Sequence, residues 1–133
     1  KVDLDKYALF VDGVTSDPSK DYQSFLESLS TLDGEGSNIH RLLTAAVGIS
    51  AEGGEFMEIV KKMVFQGKPW NHDNREHLII ELGDVMWYVM QACKALHVSL
   101  DEVIECNVDK LKKRYPGGDF DVHYSENRKE GDR

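Results

Sequence analysis

Two long segments whose apolar residues recur with helical spacing constrain the fold of this chain more than any other feature. The first runs from about residue 38 to Gln66 and the second from about residue 74 to His97. Apolar side chains recur in both at intervals of three and four residues, which is the period of an amphipathic α-helix. No segment shows the period of two that a half-buried strand requires. The sequence therefore predicts an all-α protein whose helices pack as a bundle.

Capping residues mark the start of both long helices. Ser37 or Asn38 can cap the first helix, directly after the loop sequence DGEGS. Asp73 and Glu76 have capping-box spacing, which predicts the start of the second helix. The turn-rich sequence GKPWNHDN connects the two, so they should lie antiparallel and adjacent. The second helix is apolar nearly all round, which is typical of a helix at the centre of a bundle or in an interface.

The other predicted helices are shorter. Residues 3–14 and 19–32 both have an amphipathic helical pattern. Ser99 and Glu102 form another capping-box pattern and open a helix that ends near Tyr115, where a Pro-Gly-Gly sequence stops it.

A pair of adjacent glycines, Gly53 and Gly54, interrupts the first long helix. Glycine in the middle of a helix costs about 1 kcal/mol relative to alanine. The pair therefore suggests that another helix or a ligand comes close to the backbone there, although a simple kink would also explain it.

The acidic composition limits the partners of the chain. Its 133 residues amount to one domain and carry a formal net charge of -8. A sequence-independent binder of DNA or RNA would need a basic surface, so we expect no nucleic acid polymer as a partner. A small phosphorylated substrate is compatible with this charge, because a metal ion can supply positive charge locally.

Three features favour a cytoplasmic protein without a membrane partner. Cys93 and Cys106 form neither a zinc pattern nor a disulfide scaffold. No apolar run reaches transmembrane length, and the N-terminal sequence KVDLDKYALF lacks a secretory layout.

Two pairs of carboxylates lie on the two long helices. The first pair is Glu52-x-x-Glu55 and the second is Glu81-x-x-Asp84. A spacing of three places both members of a pair on one helix face, here among apolar neighbours. Burying unpaired carboxylates is costly, and the middle of the second helix has no lysine or arginine. The alternative is that these acids face solvent and form surface ion pairs.

A divalent cation is the counter-charge that suits these pairs. An all-oxygen ligand set favours a hard ion, so Mg²⁺ is the predicted cofactor and Mn²⁺ a substitute. No histidine has the Glu-x-x-His spacing on these helices that is typical of ferritin-like di-iron sites.

A basic motif follows on the last predicted helix. Asn107, Lys110 and Arg114 fall on one helical face and suit the binding of phosphate oxygens and a sugar hydroxyl. They could stabilise charge on a leaving pyrophosphate. The alternative is that basic residues near a helix C-terminus simply offset the helix dipole.

Together these features resemble the MazG-like nucleoside triphosphate pyrophosphohydrolases. The two acidic pairs, separated by 25 residues, look like the metal motif of that family, and the basic motif looks like its phosphate-binding residues. The resemblance covers roughly residues 38–118 and is closest to short, single-domain members from bacteria and phages. It rests on the strings LLTAAVGISAEGGEF, KKMVFQGKPW, HLIIELGDVMWYV and NVDKLKKRYPGG.

The resemblance implies Mg²⁺-dependent hydrolysis of a (deoxy)nucleoside triphosphate to the monophosphate and pyrophosphate. It implies a four-helix-bundle-like core that is completed by homodimerisation, in a homodimer or a dimer of dimers. It also makes 1–133 a single domain, with N-terminal helices (1–37), catalytic helices (38–116) and an extended tail (117–133). The expected location is the cytoplasm of a bacterial cell or a phage-infected host.

The implied site has three sets of residues. Glu52, Glu55, Glu81 and Asp84 hold the metal. Glu52 and Glu55 are the catalytic carboxylates, and Glu55 could take a proton from the attacking water. The substrate-binding set is able to contact phosphate, sugar or base and comprises Asn107, Lys110, Arg114, Tyr88, Trp70 and Asn38. Trp87, in contrast, is expected to pack in the core or in a dimer.

An alternative function belongs to a different class of protein. A helical regulatory protein could use the basic motif to bind a nucleotide without cleaving it, and binding without product would support that function. A purely structural bundle would show no rise in melting temperature when a nucleotide is added.

Overall fold

A computed structural model describes residues 1–118, and residues 119–133 lie outside its description. The helices are α1 (Leu4–Gly13), α2 (Asp17–Lys20), α3 (Tyr22–Gly34), α4 (Ile39–Phe65), α5 (His72–Leu96) and α6 (Leu100–Arg114). No strand occurs in residues 1–118, which confirms the predicted all-α class. None of these helices combines the length and the apolar character needed to cross a bilayer. The predicted extended tail falls almost entirely outside the described residues.

The antiparallel pair of helices α4 and α5 forms the main packing unit. Near one end, Arg41 Nε on α4 donates a hydrogen bond to Gln91 Oε1 on α5 at 2.8 Å. Two turns further along α4, Gly48 packs directly against the ring of Tyr88. This register places the middle of α4, including Glu52, opposite the middle of α5.

The start of α4 is confirmed and the start of α5 is corrected. Asn38 Oδ1 accepts a hydrogen bond from the Arg41 amide at 3.4 Å, so Asn38 is the N-cap of α4. In α5 the N-cap is Asn71, which accepts from the Asn74 amide at 2.9 Å, and the predicted capping box starting at Asp73 is wrong. The earlier cap is held in place because Asn74 Nδ2 also donates to the Pro69 carbonyl at 2.6 Å. Capping at residue 71 adds helical hydrogen bonds at the start of α5.

The predicted helix over 19–32 is instead two helices. Asp21 adopts an extended conformation, and its side chain accepts a hydrogen bond from the Ser24 amide at 2.9 Å, so that it caps α3. The preceding residues form the short helix α2. Aspartate competes well for backbone amides, which explains why it ends one helix and starts the next. The cap predicted at Ser99 is confirmed, since its Oγ accepts from the Glu102 amide at 3.1 Å.

The buried core of the chain is small. The buried apolar residues of 1–118 all lie on α4 and α5 and are Ala45, Ile59, Cys93 and Ala95. Large apolar side chains elsewhere on these helices are exposed, including Val47 and Ile80, both 61% exposed. Extensive helix packing within residues 1–118 is confined to α4 with α5, α2 with α3, and α3 with α4. The central burial predicted for α5 is therefore achieved on one face of that helix only, and homodimerisation stays a prediction.

The close approach expected at Gly53 and Gly54 is not made by another described helix. A Cβ on either residue would meet nothing within 4 Å in residues 1–118, and α4 continues through both. The close approach occurs one to two turns earlier, at Gly48, where a Cβ would overlap the Tyr88 ring. Contact of the glycine pair with a ligand or a second chain stays a prediction.

Candidate metal and nucleotide site

Carboxylates from α4 and α5 converge in the middle of the helix pair. One side-chain oxygen from each of Glu52, Glu81 and Asp84 lies within 4.8 Å of the others. The pKa of Glu52 is raised, chiefly because its carboxyl can hydrogen-bond to Glu81 when protonated. Partial burial and the negative charges of Asp84, Glu81 and Glu55 raise this pKa further. The cluster therefore favours a bound positive charge, either a proton or a metal ion.

Glu81 supplies an independent indication of a cation. Its side chain is 13% exposed, and its Oε1 lies 3.3 Å from Nε2 of His77, one turn earlier on α5. Its Oε2 is buried and receives no hydrogen bond from any residue of the described part. A buried carboxylate oxygen without a partner is costly, and a divalent cation would satisfy it. The residues present therefore fit a hard metal ion held by oxygen ligands.

The structure brings three of the four predicted metal ligands together. Glu55, the fourth, is exposed and lies outside the triplet, although its charge acts on Glu52. Asp84 is exposed, whereas Glu52 is half-buried. The triplet is thus open to solvent on one side.

A cavity of about 310 Å³ opens beside the triplet. It is lined by Glu52, Asp84, Trp87 and Tyr88, and is called the acidic pocket below. Tyr88 thus lies where the sequence predicted it, next to Asp84. Trp87 is 58% exposed and makes an edge-to-face contact with Tyr88, with ring centroids 4.9 Å apart. Within this chain Trp87 therefore lines the pocket and does not lie in the core. Its spacing of three from Asp84, which places both residues on one face of α5, could have indicated this position.

A second cavity of about 680 Å³ lies between α3 and α4 and is called the apolar groove. Leu29 of α3 and Ile39 and Val47 of α4 line it, and Tyr88 of α5 forms a further part of its lining. Neither this groove nor the place of Gly48 in its lining was predicted from the sequence pattern. No signal within α4 alone distinguishes Gly48 from the glycine pair, because its partner ring belongs to another helix.

The remaining predicted site residues do not line the acidic pocket. On α6, Asn107 is exposed, while Lys110 and Arg114 are half-buried. Trp70, in the connector, is 69% exposed. The side-chain oxygen of Asn38 is used to cap α4. The sequence pattern did not indicate two partners: His77, whose Nε2 lies 3.3 Å from Glu81 Oε1, and Gln91, which accepts a hydrogen bond from Arg41.

Comparisons with known proteins agree with this arrangement. The model of the MazG nucleotide pyrophosphohydrolase domain matches residues 41–118, which include nearly all of α4 and the whole of α5 and α6. The Gene 37 protein of Mycobacterium phage L5 is 38% identical over 87 residues, covering 64% of this chain and 75% of that protein. No solved structure matches the chain. Because the family match spans more than half of the sequence and includes the converging carboxylates, this chain belongs to the MazG nucleotide pyrophosphohydrolase family.

Proposed function

We propose that this protein hydrolyses (deoxy)nucleoside triphosphates to the monophosphate and pyrophosphate with Mg²⁺ as its cofactor, which Mn²⁺ can replace. The observation that carries the proposal is the convergence of Glu52, Glu81 and Asp84 in a chain of this family. Three carboxylates so close together are destabilising without a positive charge, which is the condition that a metal-binding site exploits.

The residues that would hold the metal are the three carboxylates of the triplet, together with Glu55. The buried Oε2 of Glu81 supports this assignment most directly, because no residue of 1–118 donates a hydrogen bond to it while Glu52 is ionised. The hydrogen-bonding distance from His77 to the other oxygen of Glu81 favours one orientation of that carboxylate. When bound, the metal neutralises phosphate charge and makes water a better nucleophile at neutral pH.

The α4 carboxylates are the proposed catalytic groups. Glu55 is exposed and lies outside the triplet, and its carboxylate is proposed to accept a proton from the water that attacks phosphorus. Glu52 belongs to the triplet itself, and its raised pKa reflects the negative charge concentrated there. Because both residues lie on one helix, their relative positions are fixed by the backbone of α4.

The substrate would be gripped from several elements. Tyr88 lines the acidic pocket and is the proposed contact for sugar or base. Asn107, Lys110 and Arg114 are proposed to bind phosphate oxygens, and Trp70 to stack on a base. The side-chain amide nitrogen of Asn38 is proposed as a further polar contact for the nucleotide.

We also propose a homodimer or a dimer of dimers. Exposed apolar side chains on α5 and α6, such as Ile80 and Val108, support this assembly because a second copy would cover them. We propose that the basic motif of α6 reaches an acidic pocket through this pairing.

A screen of the common NTPs and dNTPs for pyrophosphate release with Mg²⁺ tests the activity. We expect release from at least one nucleotide, and loss of release on chelation or in Asp84→Ala. Glu58→Ala is the matched control on the same pair of helices, because Glu58 forms an ion pair with Lys61 at 3.2 Å outside the triplet. Tight nucleotide binding without product from any nucleotide would contradict the proposal and favour a regulatory nucleotide-binding protein.

A further inference from the structure

Gly48 on α4 and Tyr88 on α5 pack so closely that residue 48 has no room for a side chain. A Cβ on Gly48 would lie 2.0 Å from Tyr88 Cδ1 and 2.2 Å from both Cε1 and Cγ. These distances are far inside van der Waals contact. The obstructing atoms belong to a rigid ring near its attachment point, so a larger residue at 48 would displace the whole ring. Gly48 therefore fixes the place that the ring of Tyr88 occupies.

The ring of Tyr88 is a shared wall of two cavities of different chemistry. It lines both the acidic pocket and the apolar groove. The two cavities also adjoin on α4, because Ala51 lines the groove and the next residue, Glu52, lines the pocket. Among residues 1–118, the groove lining includes no lysine or arginine, and its one carboxylate is that of Asp33. This groove is thus poorly suited to phosphate groups and well suited to an uncharged aromatic ring.

We propose that the apolar groove takes the nucleoside end of the substrate and that Gly48 is the positioning residue that holds Tyr88 against it. This inference rests on the proposed function, in which the triphosphate end lies at the carboxylates. Within one chain it makes Tyr88, and not Trp70, the contact for the base, because Trp70 follows the end of α4 opposite to the groove. A volume of about 680 Å³ is typical of small-molecule sites, which combine apolar walls with a few polar groups. His40 and Thr44 supply such polar groups here.

The spacing along both helices is consistent with one ligand spanning the two cavities. Gly48 precedes Glu52 by four residues on α4, and Tyr88 follows Asp84 by four residues on α5. Four residues correspond to a rise of roughly 6 Å along a helix axis. The Gly48–Tyr88 contact is therefore about one turn from the carboxylates on both helices, which is a step that a triphosphate joined to a sugar can span.

A double-mutant cycle of Gly48→Ala and Tyr88→Ala tests the inference, with affinity measured by calorimetry in the presence of Mg²⁺. One probe is a non-hydrolysable α,β-imido deoxynucleoside triphosphate, tested with each of the four bases. The other is inorganic tripolyphosphate, which has the charge but no nucleoside. We expect Gly48→Ala to weaken binding of the best nucleotide about five- to tenfold, the size of a lost aromatic contact. Tripolyphosphate binding should be unchanged.

The cycle also identifies the route of the effect. If Gly48 acts through Tyr88, Gly48→Ala should have no further effect on nucleotide affinity in the Tyr88→Ala background. Gly83→Ala is the matched control, because Gly83 is also in mid-helix and a Cβ there would meet nothing within 4 Å. Should Gly48→Ala alone fail to fold, the double variant restores room for the Cβ. Tyr88→Ala by itself must still weaken nucleotide binding and spare tripolyphosphate.

Several results would overturn the inference. The first is an unchanged nucleotide affinity in Gly48→Ala. The second is an equal loss of affinity for the nucleotide and for tripolyphosphate. The third is additivity of the effects of the two substitutions on nucleotide affinity. These failures are separate from failure of the proposed function. If the wild type hydrolyses nucleotides and the cycle is additive, only the role of Gly48 is wrong. If the cycle behaves as expected and no pyrophosphate is released from hydrolysable nucleotides, only the proposed hydrolysis is wrong.

Discussion

The α4–α5 pair and helix α6 differ sharply, although both lie within the part of the chain that matches the MazG family. The pair is joined by a cross-helix hydrogen bond, contains all the buried apolar residues of 1–118 and brings three carboxylates together. Helix α6 is well capped, but its apolar residues are exposed and it has no extensive packing with another helix of residues 1–118. One chain therefore builds the acidic half of the proposed site, whereas the position of the basic half depends on other contacts.

The largest expected effect on Mg²⁺ binding distinguishes the largely buried Glu81 from the exposed Glu55. Glu81→Gln should abolish Mg²⁺ binding and lower turnover roughly a thousandfold, or about 4 kcal/mol, because it removes charge from the triplet. Glu55→Gln should weaken Mg²⁺ binding less than Glu81→Gln does and should still lower turnover, since Glu55 lies outside the triplet. Mg²⁺ titration by calorimetry and a pyrophosphate assay give both quantities. Full Mg²⁺ binding by Glu81→Gln would remove the basis of the site.

The next prediction compares the packing of the two regions. Ile59→Ala should lower the free energy of unfolding by about 2–5 kcal/mol, because Ile59 is a buried residue of α4. Val108→Ala, on the exposed face of α6, should cost less than about 1 kcal/mol. Urea unfolding monitored by circular dichroism gives both values. If Val108→Ala instead lowered the free energy of unfolding strongly, and more so at higher protein concentration, the two regions would not differ as expected. Such a result would show that α6 is buried in an oligomer.

Binding of phosphate by α6 is the third prediction. Lys110→Ala should raise KM about tenfold, because a hydrogen bond to a charged group contributes roughly 1.5–3 kcal/mol. The half-buried Lys110 is matched by the exposed Lys112 on the same helix, and Lys112→Ala should leave KM within about twofold. Steady-state kinetics with the preferred nucleotide decides between them. Equal effects of the two substitutions would indicate general electrostatic attraction and no specific contact.

The smallest effect concerns the metal-free protein. Because the pKa of Glu52 is raised above 4.5 in the folded state, its contribution to stability is fully present below that value. The contribution is lost as pH rises through the raised pKa. Without metal, Glu52→Gln should therefore raise the melting temperature at pH 7 and have little effect at pH 4. A lower melting temperature for Glu52→Gln at pH 7 without metal would contradict the expected repulsion.

Much of the fold is visible in the local sequence. The apolar period and the caps at Asn38 and Ser99 predicted α4 and α6 to within a residue or two. The errors fall where two capping residues compete, as Asn71 and Asp73 do, or where a polar residue interrupts a helical pattern, as Asp21 does. Local spacing does not rank such competitors, because the choice depends on further hydrogen bonds such as the one from Asn74 to Pro69.

The candidate site shows a different limit. Spacing alone predicted that Glu52, Glu81 and Asp84 would meet, because an antiparallel helix pair with a short connector has few possible registers. It did not predict that Glu55 would lie outside the triplet or that Gly48 would contact Tyr88, since both depend on the rotation of one helix against the other. Nor does it place α6, whose neighbours are not fixed by its own sequence.

Four of the five buried residues of α4 and α5 are small, and they are called the seam here: Ala45, Gly48, Cys93 and Ala95. Small residues allow two helix backbones to come close, but the packed interface then has no space for a larger side chain. Substitutions during evolution should therefore accumulate on the outer faces of these helices, while the seam stays restricted to the smallest amino acids. The outer surfaces, which determine the binding of partners and substrates, can thus change in sequence while the spacing between the carboxylates stays fixed.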